Sequence, residues 1–364
     1  MNILIFTSSN SSFNSLRPEA EIFIEISNRG HRVTIVTQAD TEYANIYKSK
    51  GIKVIDHHPK HKISISSIKT IRNELKSHHY DIVYATNSKS IPNAAFACIG
   101  FPVKFITYRG TTGGLYRHDP SAYLTHLHPR VDGIICVSEA VRKDVAKRVW
   151  KNRDKVASIH KGHNLAWYNK PPADLSEFGI NQEDFVVICA VNARPSKGIA
   201  IMLEASNYLA DISNLHILLV GKNMDTEPYL SLIRNSKMRE RIHVSGYRHN
   251  APEMIVASNV LVQPSISGEG LPRAVMEAMG YGTPPIITTT GGGKEVVEDG
   301  KTGFIVPIKD PQAIADRVRQ LHDNPDLLNK MSIACKGKLQ GELSSNRTAE
   351  KYIEYFESLL SENK

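Results

Sequence analysis

Between Pro264 and Gly282 the sequence PSISGEGLPRAVMEAMGYG sets one acid, Glu269, between Gly268 and Gly270, and a second, Glu277, eight residues later. The two glycines let main chain approach a guest closely. Pro272 is pre-organised for a first helical position, and Leu271 before it has no side-chain oxygen to cap a helix. The first N–H groups of that helix are therefore left without an acceptor, and with the positive end of the dipole they favour an anionic or hydroxyl-rich guest. In a helix begun at Pro272, position 277 lies about 7–8 Å further along the axis. Ionised carboxylates only accept hydrogen bonds, and vicinal hydroxyls are natural partners at about 1.5–3 kcal/mol each. A nucleotide sugar has that length and those hydroxyls. The same spacing also suits a plain surface, with Glu277 paired to Arg273 one turn earlier and Glu269 an exposed turn acid. Spacing alone does not choose.

A second constellation bears on the choice. Asn192-Ala193-Arg194-Pro195-Ser196-Lys197-Gly198 follows an apolar run and opens a helical one. Two cations at a helix N-terminus oppose the dipole unless an anion sits between them, and a diphosphate fits that description. The alternative is two solvated basic residues in a loop. No G-x-G-x-x-G follows the first strand and no G-x-x-x-x-G-K-[ST] occurs, so a dehydrogenase and a P-loop enzyme lose ground. No Asp-x-Asp or His/carboxylate cluster suggests a metal. Tyr247-Arg248, after Gly246, is a candidate to flank a nucleotide base.

The elements that must position these residues follow from the apolar pattern. With 364 residues and 41% hydrophobic content, two domains each have enough chain to bury a core. Short β-branched runs alternate with amphipathic stretches, the pattern of parallel sheets covered by helices. Strands are predicted at 3–7, 33–37, 53–56, 82–86, 105–108, 133–137 and 156–160, then at 185–192, 215–220, 242–245, 260–263, 285–288 and 303–306. Helices are predicted at 19–29, 65–77, 139–149, 197–209, 229–236, 271–279 and 311–322. The class is α/β, with two Rossmann-like doubly wound domains facing across a cleft. The expected division is 1–168, 169–342 and a C-terminal helix over 343–364 that returns to the first domain. Ligands of such sheets sit beyond the carboxyl ends of the strands.

Four widely spaced cysteines argue against zinc knuckles, a CxxC redox pair or a disulfide framework, and fit a reducing cytoplasm. The N-terminal apolar run lacks a basic flank, and no run approaches the roughly 20 apolar residues that span a bilayer. Residues 1–170 hold 25 Lys+Arg against 13 Asp+Glu, the remainder 20 against 24. The basic half is expected to meet something anionic, a phospholipid leaflet such as the inner face of the cytoplasmic membrane or a phosphorylated lipid or sugar, the alternative being a solvated basic surface with no partner. Nucleic acid is not expected, because aromatics near the basic clusters lack the stacking signatures of RNA readers.

The ordered series Arg194…Lys197-Gly198, Gly246, Pro264-Ser265…Glu269-Gly270-Leu271-Pro272…Glu277-Ala278-Met279…Gly282-Thr283-Pro284, Gly291-Gly292…Glu295 and Asp299-Gly300…Gly303 resembles the retaining glycosyltransferases of family 4, the group 1 enzymes of GT-B fold. Members act in bacterial lipopolysaccharide or capsular polysaccharide biosynthesis. The resemblance is detailed over roughly 185–325 and topological before that. It implies that Arg194 and Lys197 hold the donor diphosphate and stabilise its departing charge. It further implies that Glu269, with main-chain N–H groups beside Gly270 and Pro272, positions the sugar, and that Glu277 accepts from the ribose. The nucleotide-diphosphate sugar is then a co-substrate, with no cofactor and no required metal, and the acceptor is a growing glycan or a lipid-linked one.

Two departures fall in the first half. Ser8-Ser9-Asn10-Ser11-Ser12 stands where many members carry a glycine pair, and Tyr108-Arg109-Gly110 where many carry a histidine. Arg109 cannot act as a base, but its guanidinium suits a charged group of donor or acceptor. His118, His160 and His163 are secondary candidates. A nucleotide-sugar epimerase of the same fold and a catalytically silent binding protein are the competing readings.

Overall fold

Thirteen short apolar runs become strands, and their continuous rather than alternating hydrophobicity dictates parallel sheets covered on both faces. The computed structural model describes residues 1–361. The chain divides into one unit of Met1–Gly162 with the helix Ser345–Ser361 and another of His163–Ser344.

In the first unit β1 (Asn2–Phe6), β2 (Arg32–Thr37), β3 (Lys53–Asp56), β4 (Ile82–Ala85), β5 (Lys104–Arg109), β6 (Gly133–Cys136) and β7 (Val156–Ser158) lie in the order β3-β2-β1-β4-β5-β6-β7. In the second unit β8 (Phe185–Ala190), β9 (Leu215–Val220), β10 (Ile242–Gly246), β11 (Val260–Gln263), β12 (Pro285–Thr288) and β13 (Phe304–Val306) lie in the order β10-β9-β8-β11-β12-β13. The pairings are parallel in both sheets. Central strands such as VVIC of β8 and VLV of β11 are buried throughout, and each large apolar side chain there contributes about 1.5–3 kcal/mol.

Strand order reverses between β1 and β4 in one unit and between β8 and β11 in the other. The second reversal places the loop after β8, which carries Arg194 and Lys197, beside the loop after β11, which carries Glu269. Main chain joins them, Ile266 N donating to the Ser196 carbonyl at 2.7 Å. Contact this close needs glycine: at Gly198, φ +68°, a Cβ would stand 1.9 Å from the Pro264 carbonyl oxygen. Gly291 backs the other side of the same loop, where a Cβ would stand 1.9 Å from the Glu269 carbonyl oxygen.

The division of the chain falls at Gly162/His163 and again at Ser344/Ser345 because the second unit closes on itself there, His163 N donating to the Leu343 carbonyl at 2.9 Å. Of the stretch 343–364 assigned to a C-terminal helix, Ser345–Ser361 is helical, and 362–364 lie outside the described residues. This helix packs on helix Phe13–Asn28 of the first unit. Tyr352, Phe356 and Leu359 are buried there, and the hydroxyls of Tyr84 and Tyr352 meet at 3.2 Å. Thr348 Oγ1 donates to the His160 carbonyl at 2.9 Å and accepts from Gly162 N at 3.0 Å, fixing the chain where it leaves the unit. Phe356→Ala, which empties a fully buried ring site, is expected to cost the first unit about 3–5 kcal/mol. Urea unfolding followed by fluorescence and circular dichroism measures it; a loss below about 1 kcal/mol would show that the helix is not part of that core.

Candidate active site

A cavity of about 370 Å³ lies wholly within the second unit, at the carboxyl ends of β8 and β11. Its walls include Arg194, Lys197, Tyr247, Arg248, Glu269, Leu271, Pro272 and Glu277, eight of the residues singled out from the sequence. Gly268 and Gly270 lie in the same loop without lining it. Arg109 belongs to the other unit.

Glu269 is not an exposed turn acid: its side chain is 8% exposed. One oxygen, Oε1, accepts from Lys197 Nζ at 2.5 Å, Ser265 Oγ at 2.5 Å and Gln263 Nε2 at 2.9 Å. A buried carboxylate needs such donors, since losing them would leave an uncompensated charge at a cost of several kcal/mol. Because a carboxylate only accepts, the Gln263 amide must present its nitrogen to Glu269. Its Oε1 is consequently turned away, buried and without a hydrogen-bond partner among the described residues.

The two expected cations differ in state. Lys197 ends a short 3₁₀ turn, Pro195–Lys197, and the helix that follows, Ile199–Ser206, starts two residues later than the expected 197 because Gly198 in the left-handed region interrupts it. Lys197 is thus an internal counter-ion of Glu269. Arg194 precedes the turn, is exposed, and pairs with no carboxylate among the described residues. It is the cation available to a guest.

Pro272 departs from the expected first helical position. It is extended, with φ −74° and ψ 108°, and serves as N-cap of helix Arg273–Tyr281 without a side-chain cap. The uncapped N–H groups of that helix therefore open beside the cavity, as its missing cap residue implied. Glu277, one turn inside, is 17% exposed, and Arg273 Nε stands 3.5 Å from its Oε1 with the arginine side chain 54% exposed. The pairing with Arg273 exists, but Glu277 is no surface residue. Burial pushes its carboxyl up to about 7, and Arg273 only partly opposes this.

Tyr247 is exposed, its ring 5.2 Å from Lys222 Nζ. Arg248 is committed elsewhere, donating to the Ser245 carbonyl at 3.1 Å and pairing with Glu177 at 2.8 Å. Gln263 was missed from the sequence, although a lone polar residue closing the buried strand VLVQ was a readable signal, and Asn192 and Ser265 were named in their motifs without a role.

In the first unit Arg109 ends β5 and turns its guanidinium onto its own loop, Nε donating to the Thr111 carbonyl at 3.0 Å and Nη2 to the Gly113 carbonyl. His118 stacks on Tyr116. His163 bonds the Tyr168 hydroxyl, and the His160 carbonyl is taken by Thr348. Ser9 Oγ accepts from Thr37 at 2.8 Å, so the serine run after β1 is bound within its unit. A pair not foreseen, Glu19 with Lys161, sits half-buried at the β1/β4 reversal. Among the described residues no three His, Cys, Asp or Glu side chains converge, and no helix is long and apolar enough to cross a membrane.

Residues 172–338 match the family described as glycosyl transferases group 1, and residues 21–167 match glycosyltransferase family 4. The N-acetyl-alpha-D-glucosaminyl L-malate synthase of Bacillus anthracis is 23% identical over 94% of this chain and 93% of that protein. The UDP-Gal:alpha-D-GlcNAc-diphosphoundecaprenol alpha-1,3-galactosyltransferase of Escherichia coli is 25% identical over 73% and 72%. Among solved structures, Anabaena HepE in complex with UDP superposes with a TM-score of 0.75 at 19% identity, covering 98% of this chain and all of that one. The same protein with UDP-glucose gives 0.73.

The raised carboxyl of Glu277 has a signed consequence for stability. Its folded pKa of about 7 exceeds the ordinary glutamate value of 4.5, so its favourable contribution is full below about 4.5 and is lost as pH rises through 7. Glu277→Gln is therefore expected to stabilise the empty protein by on the order of 1–3 kcal/mol at pH 8 and to be neutral at pH 4.5. Urea midpoints at the two pH values check this, and a difference independent of pH would contradict it.

Proposed function

Because the chain belongs to the group 1 glycosyltransferases of GT-B fold, we propose that it moves a sugar from a nucleoside-diphosphate donor to a growing cell-surface glycan or a lipid-linked acceptor. The observation that carries the reading is the meeting of Arg194, Lys197, Glu269 and Glu277 around one cavity beneath an uncapped helix N-terminus. The relatives support the substrate classes: HepE has been seen with UDP and UDP-glucose, and the Escherichia coli relative is named for a diphosphoundecaprenol acceptor.

In this reading the diphosphate enters between Arg194 and Lys197. Lys197 then exchanges Glu269 for phosphate oxygens, while Gln263 and Ser265 continue to hold the carboxylate. The released acceptor capacity of Glu269 turns to sugar hydroxyls, and Glu277 accepts from the ribose, which favours its ionised form. As the bond from the anomeric carbon to the diphosphate breaks, charge grows on the leaving oxygen, where fixed cations and helix N–H groups stabilise it more than they do the ground state. The acceptor hydroxyl attacks from the same face, its proton passing to the departing phosphate, so configuration is retained. No metal is required and no cofactor enters; the nucleotide sugar is a co-substrate. The basic first unit rests on the anionic inner face of the cytoplasmic membrane, where a lipid-linked acceptor is presented.

Incubation with UDP-, GDP- and ADP-sugars, with and without lipid-linked acceptor, tests the reading through release of the nucleoside diphosphate. Acceptor-dependent release is expected, and Lys197→Ala and Glu269→Ala should each lower kcat/KM by about 10²-fold or more. Turnover without acceptor would favour epimerisation or hydrolysis, and wild-type turnover in either variant would remove the assignment.

A further inference from the structure

In the first unit, the loop 115–118 and the turn 148–150 are locked by two reciprocal arginine–aromatic pairs. The Arg117 guanidinium lies 4.0 Å from the centre of the Trp150 ring, and that of Arg148 lies 5.2 Å from the centre of Tyr116. Each arginine also binds the main chain of the opposite segment: Arg117 Nε donates to the Arg148 carbonyl at 2.7 Å, and Arg148 Nη1 to the Leu115 carbonyl at 3.2 Å. Trp150 Nε1 donates to the Tyr123 hydroxyl at 3.1 Å. The two rings are thus held firmly, yet Trp150 is 62% exposed and Tyr116 40% exposed.

An exposed tryptophan held by the Arg117 guanidinium on its ring and by the Tyr123 hydroxyl on its Nε1 is not a loose loop residue, since tryptophan is highly buried on average. Its surroundings say what would cover it. From 142 to 155 the chain carries seven Lys or Arg and two Asp. Lys147 and Lys151 on either side of Trp150 are exposed, and neither side chain has an ion-pair partner among the described residues. Next to Trp150 opens a mostly apolar hollow of about 210 Å³ walled by Leu127, Pro129, Val131, Ile134 and Val149. It lies at the amino end of β6, the edge opposite the strand ends where ligands of such sheets sit.

We infer that this surface seats the protein on an anionic lipid bilayer, with Trp150 and Tyr116 at headgroup depth, Lys147 and Lys151 against anionic headgroups, and the hollow beside Trp150 taking apolar lipid. Amphipathic rings prefer that depth, and free lysines add attraction to acidic lipids. Base stacking is the poorer match, because Arg117 already lies over the Trp150 ring. The inference rests on the membrane part of the function proposed above and assigns it a place.

The chain has two tryptophans, so Trp167→Phe leaves Trp150 as the reporter. With vesicles of phosphatidylglycerol and phosphatidylethanolamine at low salt, a blue shift of Trp150 emission is expected, with quenching by brominated acyl chains. Neutral phosphatidylcholine should give neither. Lys147→Glu with Lys151→Glu in the otherwise wild-type chain should weaken co-sedimentation with the acidic vesicles by about tenfold or more while leaving turnover on a soluble acceptor unchanged. Binding to acidic vesicles without any change at Trp150 would overturn this surface and spare the membrane reading. No vesicle binding at all would overturn both. An equal blue shift with a soluble polyanion such as heparin would show that the patch reads charge and not lipid.

Discussion

The ion pair between Lys197 and Glu269 is the interaction on which the second unit's cavity depends. A carboxylate buried this deeply is tolerable only with its charge matched and its lone pairs used, and Lys197, Ser265 and Gln263 meet both demands on one oxygen. The match requires the loops after β8 and β11 to touch. That contact exists because strand order reverses between those two strands and because Gly198 carries no Cβ to collide with Pro264. Chain topology, one glycine and one ion pair are therefore a single arrangement. In the proposed reading its consequence is chemical: Lys197 is the group that a diphosphate must win from Glu269, so donor entry and the readiness of Glu269 for sugar hydroxyls are coupled.

The two acids of the cavity are set to different tasks by their surroundings. Glu269 has a cation within contact distance; Glu277 has only a half-exposed arginine at 3.5 Å, and burial leaves it divided between protonated and ionised forms near neutral pH. Different surroundings are how one site assigns distinct roles to one residue type. The first unit repeats the lysine–glutamate device at its own reversal. There Glu19 accepts from Thr7 Oγ1 at 2.8 Å and pairs with Lys161. Burial works against the charge of Glu19, but Lys161 and the hydroxyls of Thr7 and Thr86 outweigh it and hold the carboxyl below its usual range.

Strand positions were legible in the sequence because fully buried parallel strands must be continuously apolar, and runs such as FVVICA and LHILLV admit little else. Cavity residues were legible where a physical oddity marked them: two cations where a helix begins, a helix without a cap residue, an acid between glycines. The partner of Glu269 was not. Lys197 and Glu269 are far apart in sequence, and only the sheet order brings them together. Buried side-chain networks were equally hidden, because nothing local announces that Gln263 will turn its amide onto Glu269. The helix Phe13–Asn28 begins ahead of the expected 19 because it accommodates Pro18 inside, and Phe13 gains a stacked contact with Tyr43 at 4.7 Å. Local propensity yields there to packing.

The central claim is the exchange of partners by Lys197. A crystal structure of the protein with a nucleoside-diphosphate sugar tests it most directly. The account predicts Lys197 Nζ within hydrogen-bonding distance of a diphosphate oxygen, beyond reach of Glu269, with Gln263 Nε2 and Ser265 Oγ still on the carboxylate. A donor bound with the 2.5 Å contact between Lys197 and Glu269 intact, its diphosphate held by other groups, would contradict it.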